Sequence, residues 1–215
     1  IRFASPAAEA LMRDDMTKSL ALGLDLAGLE GAGGDNRPRG IINMPNINRI
    51  TSGKTTPDGD FIVGEDLYRF PAAVEESNAE FTGFIMRPKT VFKYYQLRFD
   101  AVSQGDRQGG FLFNLIREAG DGISKPLLAG FPVTKSTQVS QVRTKGAATN
   151  LTYIIGGFWE DLLIGMFGAI EFAATTQGDT AFTNDQTWVR GILSADIAAR
   201  HEAAFVWMDQ LSTTL

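Results

Sequence analysis

One stretch constrains the fold of this chain more than any other: Pro6 to Ala27 reads as a long helix, and the other helical segments read shorter. Ser5 can cap it, and Pro6 falls at the first helical position, where a missing N–H is harmless. Met12, Met16 and Leu20 recur every four residues, and Leu22, Leu26 and Leu29 continue an apolar stripe. Roughly 22 residues at ~1.5 Å each give a rod of about 33 Å. The glycine-rich stretch Gly28–Gly34 is expected to stop it. Such a rod must lie on something. The expectation is that Met16 and Leu20 are largely buried against strands near Ile170 and Leu193, so that Leu20→Asp would cost about 3 kcal/mol or more.

Beyond the glycines the pattern turns mixed. Asp35 to Asp60 reads as a loop broken by Pro38, Gly40, Pro45, Pro57 and Gly59. Gly64 to Ser77 reads as a helix with Leu67, Phe70, Ala73 and Val74 on its core side, despite Pro71. Phe81 to Met86 reads as a buried strand, Thr90 to Leu97 as a short helix, and Leu127 to Thr134 as a bent strand entry. A turn-rich loop is expected over Gln104–Gly110 and a short strand or turn over Phe111–Ile116. Thr152 to Ile155 reads as a strand ending at Gly156-Gly157. A half-buried strand is expected at Ile170–Thr175. Trp188 to Arg200 alternates over its whole length and is read as one long strand, with Val189, Gly191, Leu193, Ala195, Ile197 and Ala199 on one face. Phe205 to Met208 is the last strand and Gln210 to Leu215 a tail. With no regular βαβ rhythm and no internal repeat, the fold class is α+β.

Composition excludes several kinds of chemistry. The chain has 215 residues and no cysteine, which removes disulfides, thiol catalysis and thiolate metal sites. His201 is its one histidine, so a multi-histidine metal centre is excluded too. Twenty basic residues against 25 acidic ones leave a net charge of -5 and no basic run of the kind that grips phosphates. Apolar runs fall short of the ~20 residues a membrane helix needs. Ile1-Arg2-Phe3-Ala4 leads straight into the helix start without reading as a signal peptide, and the missing initiator Met suggests a piece of a longer product.

Four motifs suggest chemistry and fail on context. Ser52-Gly53-Lys54-Thr55 resembles the end of a phosphate-binding loop, but Asn48 stands where that pattern needs glycine. Gly31-Ala32-Gly33-Gly34 closes a helix, whereas a dinucleotide loop opens one after a strand. His201 lies near Asp196 and beside Glu202, with no Gly-x-Ser-x-Gly nucleophile. Glu75-Glu76 and Asp14-Asp15 are neighbours in helices and point to different faces. No catalytic, cofactor-binding or metal-ligating residues are therefore assigned, and no cofactor is expected.

Four segments taken together do resemble a known family. They are Ala21–Gly31 followed by Arg37-Pro38-Arg39-Gly40-Ile41, then Phe84–Pro88, then Leu128-Ala129-Gly130-Phe131-Pro132-Val133, and finally Asn184–Arg190 with Asp196 and Ala204-Phe205. In order and spacing these are similar to the tailed-phage major capsid proteins of the Hong Kong 97-type fold. The resemblance implies a spine helix and two interleaved domains: a peripheral domain over 1–36 and 169–201, and an axial domain over 37–168 and 202–215. It implies a structural subunit, not an enzyme, that assembles into pentamers and hexamers of an icosahedral shell. Its partners would be copies of itself and the scaffold and portal proteins of a phage. It would enclose DNA without recognising a sequence, away from membranes, in a virion assembled in the bacterial host cytoplasm.

The family's N-terminal arm and extended loop precede the spine helix, and Ile1 begins just before that helix. The chain is therefore expected to be a monomer or small ring in solution. Arg190, Asp196 and Arg200, on the polar face of the long strand, are the candidate assembly interface, through charge pairing that salt would screen. An encapsulin-type nanocompartment shell is the alternative within the same fold. A small-molecule enzyme built on His201 and nearby carboxylates is the reading from another class.

Overall fold

A computed structural model describes residues 6–34, 36–97, 127–178, 181 and 183–213. Ser5, the Gln104–Gly110 loop and the Phe111–Ile116 segment lie outside the described residues. In chain order the elements are α1 (Pro6–Glu30), β1 (Asn48–Ile50), α2 (Asp66–Glu75), β2 (Gly83–Met86), α3 (Pro88–Tyr95), β3 (Leu127–Leu128), β4 (Phe131–Lys135), β5 (Arg143–Lys145), β6 (Ala148–Gly157), β7 (Leu162–Met166), β8 (Glu171–Thr175), β9 (Trp188–Ile192), β10 (Ala195–Ala199) and β11 (Phe205–Ser212). They form an α+β fold that divides into two compact units, one of residues 1–40 with 163–198, the other of 41–162 with 199–215.

In the first unit α1 runs for 25 residues, past Gly28 to Glu30. Its end is set by backbone crowding. The Gly31 N–H bonds back to the Ala27 carbonyl at 2.8 Å, and the Gly40 N–H reaches the Gly31 carbonyl at 2.8 Å. A β-carbon on Gly31 would lie 2.4 Å from the carbonyl oxygens of Ala27 and Pro38, and one on Gly40 would lie 2.4 Å from the Gly31 nitrogen. Only glycine fits at either place. An antiparallel bridge between Ala32 and Arg39 continues the pairing outward.

The helix packs on an antiparallel ribbon, β8 with β9. A β-carbon at Gly191 would touch Leu20 at 3.1 Å, Phe172 at 3.3 Å and Met16 at 3.4 Å, so strand and helix meet flush there. The Arg13 guanidinium lies 5.9 Å from the Phe172 ring centroid. Met16 and Leu20 are half-buried, not largely buried, because the ribbon covers one side of the helix only. A charge at position 20 can reach water by tilting outward, which lowers the expected cost of Leu20→Asp to about 1–2 kcal/mol.

The long strand expected over Trp188–Arg200 is two strands. β9 pairs with β8 and β10 pairs with β7. The change of partner falls at Leu193-Ser194, where the Ser194 carbonyl accepts the Phe167 N–H at 2.8 Å. The alternation of side chains continues across this break, so a period-of-two pattern cannot register it.

The second unit is built on a seven-stranded sheet of order β1-β11-β6-β2-β4-β3, with β5 paired to β6. β1 runs parallel to β11 and β2 parallel to β4; the other pairs are antiparallel. One face carries Phe84, Met86, Val133, Ile154, Val206, Met208 and Leu211, in one buried core with Leu67, Phe70 and Val74 of α2 and Val91 and Tyr94 of α3. Phe81 ties this core together, 4.8 Å from Phe84 and 4.9 Å from Phe131 by ring centroids. α3 opens on Pro88 after the extended Arg87, as a proline that cannot donate should. α2 tolerates Pro71 inside it.

Four sequence readings change here. Leu127–Thr134 is a tight hairpin, not a bent strand, because Ala129 and Gly130 both take positive φ, 53° and 86°, the backbone of a two-residue hairpin turn. β6 runs on through Gly156 and Gly157. There the absent side chains make room for Phe81 and Phe70, and for Phe205. β11 continues to Ser212 through a register shift between Met208 and Leu211, with Gln210 at φ 63°. The Asp35–Asp60 loop contains a 3-10 turn, Ile41–Asn43, and the edge strand β1.

Candidate assembly surface

The motifs set aside in the sequence are occupied by the chain's own groups. Asp66, in the first turn of α2, is buried and turns its carboxylate into the 52–55 loop. It accepts the Gly53 N–H at 2.9 Å and the Ser52 hydroxyl at 2.8 Å. An intrachain carboxylate thus fills the position a bound anion would need. Burial, and secondarily the negative charge of Asp66, pushes the Tyr94 phenol well above the usual tyrosine range.

His201 is exposed, and its Nδ1 lies 2.7 Å from the Asp161 carboxylate. Among the described residues no serine or threonine hydroxyl is hydrogen-bonded to it. Glu202 instead accepts the Asn46 N–H at 3.0 Å. Asp14 pairs with Lys18 one turn along α1 at 2.5 Å, and that hydrogen bond raises the Lys18 ammonium pKa. Among the described residues there is no cluster of three acidic or histidine side chains able to hold a metal. No described helix is long and apolar enough to cross a membrane.

The three residues singled out for assembly fall on different elements. Arg190 stands exposed on β9. Asp196 is on β10, and its Oδ1 accepts the N–H of Ile197 at 2.8 Å. Arg200 follows the end of β10, its own N–H held by the Asp161 carbonyl at 2.8 Å. They do not form one polar face of one strand, because the strand they were assigned to is two.

Sequence reading missed a different feature. In the first unit large apolar side chains are exposed on both sides of a two-layer structure. Turning at ~100° per residue, Leu11 and Leu22 fall about 180–200° from Leu20, on the side of α1 away from the ribbon, and Leu26 falls about 120° from it, on the flank. They are 62%, 49% and 43% exposed. On the ribbon, the pairs Glu171–Ile192, Ala173–Arg190 and Thr175–Trp188 share the face opposite Phe172 and Gly191. Trp188 and Ile192 there are 47% and 40% exposed. The signal was present in the sequence: leucines on both sides of one helix cannot all face a single layer.

Comparison with known proteins places this arrangement. Residues 4–209 match the phage capsid family. No curated protein sequence matches the chain. Among solved structures, the capsid of an empty GTA particle is similar over 95% of this chain and 66% of its own, at 16% identity and a TM-score of 0.66. A protein of Gordonia phage Cozz is similar over 96% and 64%, at 18% identity and a TM-score of 0.62. The holo-SrpI encapsulin complex of Synechococcus elongatus is similar over 99% and 69%, at 12% identity and a TM-score of 0.60. The chain therefore spans just under two thirds of the length of the phage-type capsid chains first compared. These likenesses give the Hong Kong 97-type fold, and with a family match over nearly its whole length the chain belongs to the phage capsid family.

Proposed function

We propose that this chain is a structural subunit of a phage or prophage capsid shell and that it acts by assembly, not catalysis. The observation that carries the reading is the family match over residues 4–209. The intrachain filling of the 52–55 loop by Asp66 agrees with it. The unit containing α1 would be the peripheral domain and the sheet unit the axial domain. Copies of the same chain would be its main partners, with scaffold and portal proteins as others, in a virion assembled in a bacterial cytoplasm. An encapsulin-type shell has the same fold, but the family match favours the phage reading. Electron microscopy of the protein expressed from its complete reading frame tests this. Uniform closed shells are expected, and a protein that stays unassembled at every concentration would overturn it.

A further inference from the structure

On the face of the seven-stranded sheet away from its helices, two cations share one anion. The Asp209 carboxylate gives both oxygens to Arg143, at 3.0 and 2.9 Å, and also accepts the Gln210 N–H at 2.7 Å. Arg49 reaches the same Oδ2 only to 3.6 Å, too far for a hydrogen bond. Among the described residues Asp209 is the one acidic group within ion-pair distance of Arg49. The next cation on β5, Lys145, is taken by Asp60. The cluster of Arg49, Arg143 and Asp209 therefore keeps one uncompensated positive charge. That charge sits on Arg49, whose side chain is 55% exposed.

Arg49 is also held in place. It pairs in register with Trp207 across β1 and β11, and its guanidinium lies 5.0 Å from the centre of the Trp207 ring. Arg143 lies 5.3 Å from the same ring. Stacking on an aromatic face restricts a long side chain, so less freedom is lost when a ligand binds. Both Nη2 atoms approach one carboxylate oxygen, which sets the two guanidinium groups side by side. We propose that this pair is a binding site for a phosphate group, with Arg49 as its principal contact. A phosphate carries a charge of about −1.5 to −2 and several acceptor oxygens. It can meet the Arg49 fork with two oxygens and outweigh the repulsion of Asp209. A carboxylate brings a single charge against the same repulsion. The two arginines come from β1 and β5, which is why no basic run in the sequence marks the site. The phosphate is either the free ion or part of a nucleic-acid backbone, since the same fork serves both. The site rests on this geometry and not on the shell reading.

NMR of the whole chain at constant ionic strength tests it, following the Arg49 Nε–H and the Trp207 indole N–H. Inorganic phosphate is expected to shift these signals saturably, where sodium chloride does not. Arg49→Gln, at an exposed position, leaves the Arg143–Asp209 fork in place and should melt like the parent. It is expected to weaken phosphate binding about tenfold or more, as loss of a charged hydrogen bond does. Asp209→Asn removes the competing charge and should tighten phosphate binding, an effect that a purely structural role for Arg49 would not give. A short DNA duplex of mixed sequence forms the second arm. Binding that loses about 1 from its salt slope in Arg49→Gln identifies the nucleic-acid backbone as a ligand. Binding of inorganic phosphate alone identifies the free ion. Equal shifts with phosphate and chloride, acetate binding as tightly as phosphate, or unchanged phosphate binding by Arg49→Gln would each overturn the proposal.

Discussion

Asp209 receives both arms of the Arg143 guanidinium, Nε at 3.0 Å and Nη2 at 2.9 Å, across a sequence separation of 66 residues. The register shift in β11 allows this, with the buried carboxylate also accepting the Gln210 N–H at 2.7 Å. Arg49 approaches the same carboxylate at 3.6 Å. Both guanidinium groups lie over the Trp207 ring, at 5.0 Å for Arg49 and 5.3 Å for Arg143. Two strands, β1 and β11, and the β5 arm are thus pinned at one point on the sheet face away from the helices. Asp209→Ala would leave the two arginines without their shared anion. Because both reach solvent, the loss is expected to be about 2 kcal/mol, below that of a fully buried pair. Denaturant unfolding of Asp209→Ala, Arg143→Met and the double variant measures it, and a coupling near zero would show that the fork contributes nothing.

Gly156 is the next-to-last residue of β6, and a β-carbon there would come within 2.6 Å of the Phe81 ring and 3.0 Å of Phe70. Gly156→Ala is expected to destabilise by about 1–3 kcal/mol through overpacking. Pairing it with Phe81→Leu should recover part of that loss. Thermal melts of the single and double variants give the comparison.

How much of this was legible in advance depended on whether the signal was local. Pro6 begins a helix because its chemistry suits that position whatever surrounds it, and Pro88 does the same for α3, two residues before the Thr90 start read from the sequence. The exchange of partners at Leu193-Ser194, the room Gly156 leaves for Phe81 and the service Asp66 gives to the 52–55 loop all join residues distant in sequence. β7 is the clearest omission: Leu163, Ile164 and Met166 show no alternation because all three are exposed. Arg190, Asp196 and Arg200 were likewise grouped by one strand, and that strand changes partner between Arg190 and Asp196.

The Asp66 carboxylate is expected to hold the 52–55 loop by charge as well as by hydrogen bonding. Asp66→Asn keeps one acceptor and should lose about 1 kcal/mol, while Asp66→Ala leaves the Gly53 N–H and the Ser52 hydroxyl without it and should lose about 2–4 kcal/mol. Hydrogen exchange at Gly53 checks the mechanism. Its amide should exchange faster in Asp66→Ala, and unchanged protection would refute the assignment.

Tyr94 gives an alkaline signature. Its phenol is fully buried and its pKa lies above the ordinary value near 10. Above that pH the unfolded chain releases the phenolic proton while the folded chain keeps it. The unfolded state then binds fewer protons, so stability falls as pH rises, by up to about 1.4 kcal/mol per pH unit from this group. Below pH ~10 both states hold the proton and the group adds no pH dependence. Urea titrations from pH 8 to 11 should show a shallower alkaline decline for Tyr94→Phe than for the parent.

The crossing of Gly31 and Gly40 has a practical consequence. Where the chain leaves α1 and where it sets off toward Ile41 are clasped by one backbone hydrogen bond, and the Ala32–Arg39 bridge closes the excursion just outside it. Everything between is a tethered bight whose two ends stay put however much chain is paid out through it. A peptide grafted beyond the bridge, next to the exposed Gly34, would hang from the subunit without moving the helix end. In an assembled particle each subunit would carry the graft at the same spot, which makes this turn a place to attach an antigen, a dye or an affinity handle.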